Sequence, residues 1–129
     1  MKAVVFDFGG VMTTTTMPER VHRLADEIGV DWEALKTGYQ KYRLLMDGGY
    51  IDMRAMYDLA LADAGITLEK SVLDRIIAED EASFCYRNEQ TLSWMRELKE
   101  RGLKIGILTN MPPSFVAPFN EHFRDFIEL

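Results

Sequence analysis

The sequence predicts an α/β protein with a parallel sheet and an inserted helical bundle. Two short apolar segments, residues 4–6 and 104–108, have the length and the β-branched content of strands. The intervening chain is dominated by helical periodicity, with no convincing strand between residues 16 and 84. Parallel neighbours need a long crossover connection, and this helical region supplies one. We therefore expect the two segments to be adjacent parallel strands.

The first strand brings a carboxylate to the edge of the sheet where α/β proteins bind ligands. An apolar run begins the chain and ends at Asp7, which is followed by Gly9 and Gly10. The run predicts a buried strand, and the glycines predict a flexible turn. A carboxylate at the end of such a strand can be a nucleophile, a metal ligand or both. A lone Asp there is also a common turn or N-cap residue, so a second element is needed.

The second strand ends in further polar side chains. A helical pattern stops at Gly102, the usual position of a C-terminal cap, and residues 104–108 lead to Thr109 and Asn110. A hydroxyl at that edge can donate to a phosphate oxygen. The run 112–114, Pro-Pro-Ser, suits the opening of a helix, whose free N–H groups favour anions. The two strand ends together predict an anion site.

The region between the strands predicts four helices. Thr16-x-x-Glu19 has the spacing of a capping box, and Asp31 and Asp52 stand where the second and third helices begin. Apolar residues follow each of these positions at helical spacing. Four helices of this length make a small bundle.

The strand-end motifs resemble those of the haloacid dehalogenase-like hydrolases. The family's first motif is usually Asp-x-Asp-x-Thr or Asp-x-Asp-Gly-Val, and here it reads Asp7-Phe8-Gly9-Gly10-Val11. Some phosphatases of this superfamily begin with a similar Phe-Asp-Phe-Gly-Gly. Gly9 therefore replaces the second aspartate.

The later segments extend this resemblance. An apolar strand that ends in Thr109 and Asn110 is similar to the family's second motif, and the helical insertion is similar to the lid of its α-helical-cap subgroup. The resemblance implies a Rossmann-like core formed by residues 1–15 and 85–129, with a helical cap at residues 16–84. In the family, side chains of the cap choose the substrate.

The resemblance also implies a reaction, the Mg²⁺-dependent hydrolysis of a small phosphate monoester. Asp7 would attack phosphorus and become a transient aspartyl-phosphate. The backbone oxygen of Gly9 would join Asp7 in coordinating Mg²⁺. Thr109 and Asn110, with the backbone N–H groups around Phe8 and Gly9, would bind the phosphate oxygens.

Two alternatives remain open. A dehalogenase of the same fold uses the same aspartate and needs no magnesium, but such enzymes usually have an aromatic residue at the position of Gly9. The other alternative is a non-catalytic fragment or interaction module. The family's later lysine and acidic pair do not occur before Leu129, so we expect the chain to be an incomplete, inactive part of the enzyme. A missing segment, a second chain or a strand exchange would then complete the sheet.

Composition narrows the set of partners. The net charge of -6 and the lack of a basic stretch argue against nucleic acid and against an anionic membrane surface. No segment has transmembrane length. The single cysteine, Cys85, fits a reducing compartment, and its aromatic neighbours predict a packed thiol. We expect a cytoplasmic protein that binds a small phosphorylated metabolite.

Four side chains of the helical region are candidates for the wall of the cleft. They comprise three tyrosines, for which helix packing is an equally good explanation, and one arginine. The candidates are Tyr39, Tyr42, Arg43 and Tyr50.

Overall fold

A computed structural model describes residues 2–14 and 17–129 of the chain. The fold is mostly helical and contains one small parallel sheet. The predicted cap at Thr16 lies outside the described residues. The elements in chain order are β1 (Ala3–Phe6), α1 (Met17–Ile28), α2 (Trp32–Asp47), α3 (Met53–Ala64), α4 (Lys70–Ser83), α5 (Glu89–Glu100), β2 (Lys104–Ile107), a 3-10 turn (Pro113–Phe115), α6 (Val116–His122) and α7 (Arg124–Ile127).

The sheet consists of β1 and β2, which pair in parallel as predicted. Ala3 lies opposite Lys104, and Phe6 lies opposite Ile107. Beyond the last pair, the N–H of Leu108 donates to the Phe6 carbonyl at 3.0 Å. The carboxyl ends of both strands therefore lie at the same edge of the sheet.

The prediction that the first strand is buried is wrong, and β2 is no better covered. No residue within either strand is fully buried. Val5 is 60% exposed, and Leu108, just after β2, is 73% exposed. In the described residues the sheet has two strands, and the face of β1 that carries Ala3 and Val5 is exposed. The local hydrophobic pattern predicted the positions of the strands correctly but not their burial.

α2 and α3 begin where the sequence predicts. Asp31 Oδ1 accepts from the Ala34 N–H at 3.2 Å, and Asp52 Oδ1 accepts from the Ala55 N–H at 2.7 Å. Residues 17–83 hold α1 to α4 and no strand. None of the helices in the described ranges is long and apolar enough to cross a membrane.

Two apolar cores stabilise the molecule. The larger one lies among α1 to α4 and includes Leu35, Met56 and Ile76. The smaller one joins the turn after β1 to α5 and to the C-terminal helices. Phe84 and Met111 pack against both cores. The helical layer is therefore fixed next to the strand ends.

The prediction of a packed thiol at Cys85 is wrong. Cys85 is exposed, and the neighbouring Tyr86 is 46% exposed. α4 ends at Ser83 with Phe84 as its C-cap, so Cys85 and Tyr86 lie beyond the helix. Of the three, Phe84 alone packs into the cores.

A close approach between α2 and α3 generates the first prediction. A Cβ atom at Gly38 would lie 2.7 Å from the Ala60 Cα. We expect Gly38→Ala to lower the free energy of unfolding by about 1–3 kcal/mol through overpacking, despite the better helix propensity of alanine. Urea denaturation measures this change. The control, Gln40→Ala at an exposed position of the same helix, should alter stability by less than about 0.5 kcal/mol. Equal effects of the two substitutions would show that the helices separate at little cost.

Candidate active site

The residues predicted from the two strand ends come together around one cavity. Its volume is about 170 Å³, and its lining includes Asp7, Phe8, Gly9, Thr109 and Asn110. The parallel pairing of the strands is the cause, because it places both carboxyl ends at one edge. Sequence reasoning therefore identified residues on two sides of this cavity, in the turn after β1 and in the segment after β2.

The turn after β1 holds the Asp7 carboxylate in a defined orientation. Asp7 Oδ1 accepts from the Phe8 N–H at 2.7 Å, whereas Oδ2 accepts no hydrogen bond from the described residues. The Phe8 side chain is buried, so it fixes the turn to the smaller core. The Phe8 N–H is thus engaged by Asp7, while the Gly9 N–H has no partner within the described ranges.

Hydrogen bonds from α5 anchor the continuation of this turn. Thr91 Oγ1 donates to the Val11 carbonyl at 2.7 Å, and Asn88 Nδ2 donates to the same carbonyl at 3.0 Å. The Asn88 N–H donates to the Met12 carbonyl at 2.8 Å. Asn88 also caps α5 by accepting from the Thr91 N–H. The helix that leads into β2 therefore also holds the turn carrying Asp7.

The segment after β2 forms the second side of the cavity. Thr109 is half-buried and Asn110 is exposed, and their side chains have no hydrogen-bond partner in the part of the chain that is described. Pro112 also lines the cavity, and the 3-10 turn that starts at Pro113 leads into α6. The predicted helix opening is thus confirmed. A hydroxyl and an amide are free to donate into the cavity.

The helical layer provides a third side. Arg43 and Asp47 of α2 both line the cavity, and Arg43 Nε donates to Asp47 Oδ1 at 2.8 Å. Arg43 Nη1 donates to the Tyr39 hydroxyl, and the guanidinium carbon lies 5.6 Å from the centre of the Phe84 ring. The cavity wall therefore carries a preorganised ion pair. Sequence reasoning missed Asp47, although its i,i+4 spacing from Arg43 on a helix was a usable signal.

The other three candidates from the helical region do not line this cavity. Tyr39 is buried and supports Arg43 from behind. Tyr42 donates its hydroxyl to Asp63 at 2.9 Å, and Tyr50 is 81% exposed. Helix packing or surface exposure thus accounts for the tyrosines.

Oxygen atoms at the cavity suit a hard cation but make an incomplete set. Asp7 offers a carboxylate and Gly9 a backbone carbonyl, which are ligand types that Mg²⁺ prefers. Residues 2–14 and 17–129 contain no group of three or more His, Cys, Asp or Glu side chains placed to hold a metal. The remaining ligands of an ion would be water, substrate or residues of another segment.

A larger cavity nearby has a different character. Its volume is about 320 Å³, and Phe8, Phe84 and Phe115 line both cavities. Further aromatic side chains, Phe119 and Phe123, line the larger one. It does not include the strand-end donors. The smaller cavity is therefore the better candidate for polar chemistry.

Comparison with protein families agrees with the motifs at both strand ends. A model described as a haloacid dehalogenase-like hydrolase matches residues 1–128. The chain belongs to this family. No curated protein matched the chain.

Gly9 is the main departure of this haloacid dehalogenase-like hydrolase from the family's usual first motif. A Cβ atom added at Gly9 would meet no other atom within 4 Å. The absence of a side chain is therefore not imposed by crowding. By contrast, Gly10 has a φ of +75°, a left-handed conformation that other residues rarely adopt.

The two adjacent glycines make a matched pair for a second prediction. Gly10→Ala should lower the free energy of unfolding by about 1–2 kcal/mol, because it forces a Cβ atom into the left-handed region. Gly9→Ala should change it by less than about 0.5 kcal/mol. Chemical denaturation of the two variants tests this. A Gly10→Ala variant as stable as Gly9→Ala would mean that the turn relaxes without cost.

Proposed function

We propose that Asp7 of this protein is the nucleophile in the Mg²⁺-dependent hydrolysis of a small phosphate monoester, and that a further segment or chain completes the active site. The observation that carries the proposal is the cavity in which the Asp7 carboxylate faces the unpaired donors of Thr109 and Asn110. A strand-end carboxylate supplies a nucleophile, and hydroxyl and amide groups supply donors for phosphate oxygens. Membership of the family supports hydrolase chemistry in general.

The reaction would proceed in two displacements at phosphorus. Asp7 Oδ2, the oxygen that the turn leaves free, forms a bond to phosphorus while the bond to the ester oxygen breaks. The leaving oxygen then takes a proton. Water next attacks phosphorus, releases inorganic phosphate and restores the Asp7 carboxylate.

The proton for the leaving group has no obvious side-chain source in the first motif. The family usually has an aspartate at this position, and Gly9 offers no acid. Water, a group of the helical layer or the substrate itself would supply the proton. This requirement favours substrates whose leaving oxygen is stable as an anion.

Several groups would stabilise the charge on the phosphoryl oxygens. The Thr109 hydroxyl, the Asn110 amide and the Gly9 N–H are available as donors, and Arg43 adds a positive charge from the helical side. We propose that Asp7 and the Gly9 carbonyl hold Mg²⁺. The ion would supply further positive charge next to the phosphoryl group.

We also propose that the chain is divided into a cap and a hydrolase core. Residues 16–84 would act as a cap, and residues 1–15 and 85–129 as part of the hydrolase core. An additional segment, a second chain or a strand exchange would cover the exposed apolar groups near β2, where a groove of about 370 Å³ is lined by Ile105, Ile107 and Phe126.

A small phosphorylated metabolite in the cytoplasm is the partner we propose. The cavity of about 170 Å³ suits a small ester better than a large ligand. Cys85 is a free thiol, which is compatible with a reducing compartment. The net charge of -6 does not favour nucleic acid.

Phosphate binding tests the placement of the site. Inorganic phosphate should bind with millimolar affinity, about 4 kcal/mol, and more tightly when Mg²⁺ offsets the negative charge of Asp7. NMR titration should show shifts around Asp7 and Thr109. Thr109→Val should weaken binding, whereas Thr37→Val, at an exposed position of α2, should not. Shifts confined to other regions would place the site elsewhere.

Turnover by the 129-residue chain itself gives a fourth prediction. We expect negligible hydrolysis of p-nitrophenyl phosphate, because no lysine lines the cavity and no acidic cluster fixes a metal in the described ranges. Losing such groups removes electrostatic stabilisation of several kcal/mol. Measurable turnover that Asp7→Asn abolishes would contradict this expectation while supporting Asp7 as the nucleophile.

A further inference from the structure

A buried carboxyl group lies in the helical layer behind the cavity. Asp80 of α4 is 0% exposed, and its Oδ2 accepts from the Tyr57 hydroxyl at 2.8 Å. Its Oδ1 is buried and has no hydrogen-bond partner in the part of the chain that the structure describes. A buried polar atom without a partner is costly and rare, so this one calls for an explanation.

Two tyrosines in ring contact lie between Asp80 and the wall of the cavity. The ring centres of Tyr57 and Tyr39 are 5.8 Å apart. The Tyr39 hydroxyl accepts from Arg43, which in turn donates to Asp47 in the cavity. The Tyr57–Asp80 hydrogen bond and the Tyr39–Arg43 hydrogen bond are therefore linked by a contact between two aromatic rings, without a hydrogen bond between the two hydroxyl groups.

The pKa of Asp80 depends on its burial and on nearby charges, one of which is the cation Arg43. The pKa of Asp80 is raised to about 7, mainly by burial. The Tyr57 hydrogen bond and the Arg43 charge act in the opposite direction and limit this rise. The negative charges of Glu81 and Asp47 raise the pKa. The groups that act on Asp80 by charge or hydrogen bond include Tyr39, Arg43 and Asp47 of α2, Tyr57 of α3 and Glu81 of α4. α1 also packs against α4, and its Arg20 pairs with Glu79 there.

We propose that Asp80 is a proton-dependent positioning residue for Arg43. While Asp80 is protonated, Arg43 stays with Asp47 and faces the cavity. When Asp80 ionises, it becomes a buried charge that needs a counter-ion, and Arg43 turns toward it and away from the cavity. The idea deepens the proposed function, since it assumes that the cavity binds an anion.

The sign of the pH effect follows from the raised pKa. The ordinary pKa of an aspartate is 3.8, whereas the pKa of Asp80 in the folded protein is about 7. The folded state therefore binds the proton of Asp80 more tightly than the unfolded state does. The contribution of Asp80 to stability therefore falls as the pH rises from about 4 to about 7, by up to about tenfold in the unfolding constant per pH unit. Asp80→Asn cannot ionise, so it should lack this loss of stability. Its urea midpoint should therefore exceed that of the wild type at neutral pH and above. A midpoint below the wild type throughout would overturn the proposal.

The movement of Arg43 is tested in the ligand-free protein. NMR of the arginine Nε–Hε groups should show the Arg43 signal shifting with a midpoint near neutral pH in the wild type. The signal should stay constant in Asp80→Asn and should titrate normally in Asp63→Asn, which removes an exposed carboxylate of α3. A flat Arg43 signal in the wild type, or a titration that persists in Asp80→Asn, would overturn the proposal.

Sulfate is the probe for the effect on the site, because it is a tetrahedral dianion that does not titrate near neutral pH. At constant ionic strength the wild type should bind sulfate about tenfold more tightly at about pH 6 than at about pH 8.5, the worth of one charged hydrogen bond. Asp80→Asn should bind it with the low-pH affinity at both values. Tyr39→Phe should weaken binding at low pH while Asp80 still titrates.

The outcomes separate this inference from the proposed function. If sulfate causes no shifts around Asp7 and Thr109 in the wild type, the proposed function fails, and the Arg43 titration still tests the role of Asp80. If sulfate binds at that site with an affinity independent of pH, the role of Asp80 fails and the proposed function stands. Folding of each variant is checked by the dispersion of its backbone amide spectrum.

Discussion

Four pairs of residues in the parallel ladder between β1 and β2 join residues 3–6 to residues 104–107, which are about 100 positions apart in the sequence. The ladder places Asp7 next to Thr109 and Asn110. The helical insertion and α5 form the connection between the two strands, so pairing of the strands closes a loop that contains these helices. Non-local strand pairing carries a loop-closure cost, which the two apolar cores must offset.

The charges around the cavity are unevenly distributed. Asp7 and Asp47 contribute two negative charges, and Arg43 contributes one positive charge that Asp47 already pairs. An incoming dianion therefore meets little uncompensated positive charge from the protein itself. This imbalance is the physical reason for a divalent cation in the proposed reaction, and it makes the orientation of Arg43 consequential.

Features determined by local sequence were predictable, and features determined by distant packing were not. Asp31 and Asp52 act as N-caps because a short carboxylate reaches the N–H groups of the next turn, which is a local property. The exposure of Val5 depends on what covers the sheet, which no local pattern reveals. The two sides of the candidate site formed by the strand ends were predictable because parallel strands share an edge. Its helical side was not, since the choice of Arg43 over Tyr50 depends on how α2 is oriented against the turns.

Phe84 has a consequence for how ligands enter. Its ring lies 4.7 Å from Phe115 and 6.2 Å from Phe8, measured between ring centres, and it packs against both cores. Any opening of the helical layer away from the strand ends must separate these rings. The Phe84 contacts that stabilise the fold therefore also keep the helical layer against the cavity. If the helical region acts as the proposed cap, admission of a ligand would require partial loosening of the two cores, and a tighter aromatic contact would slow exchange with solvent as it strengthened the fold.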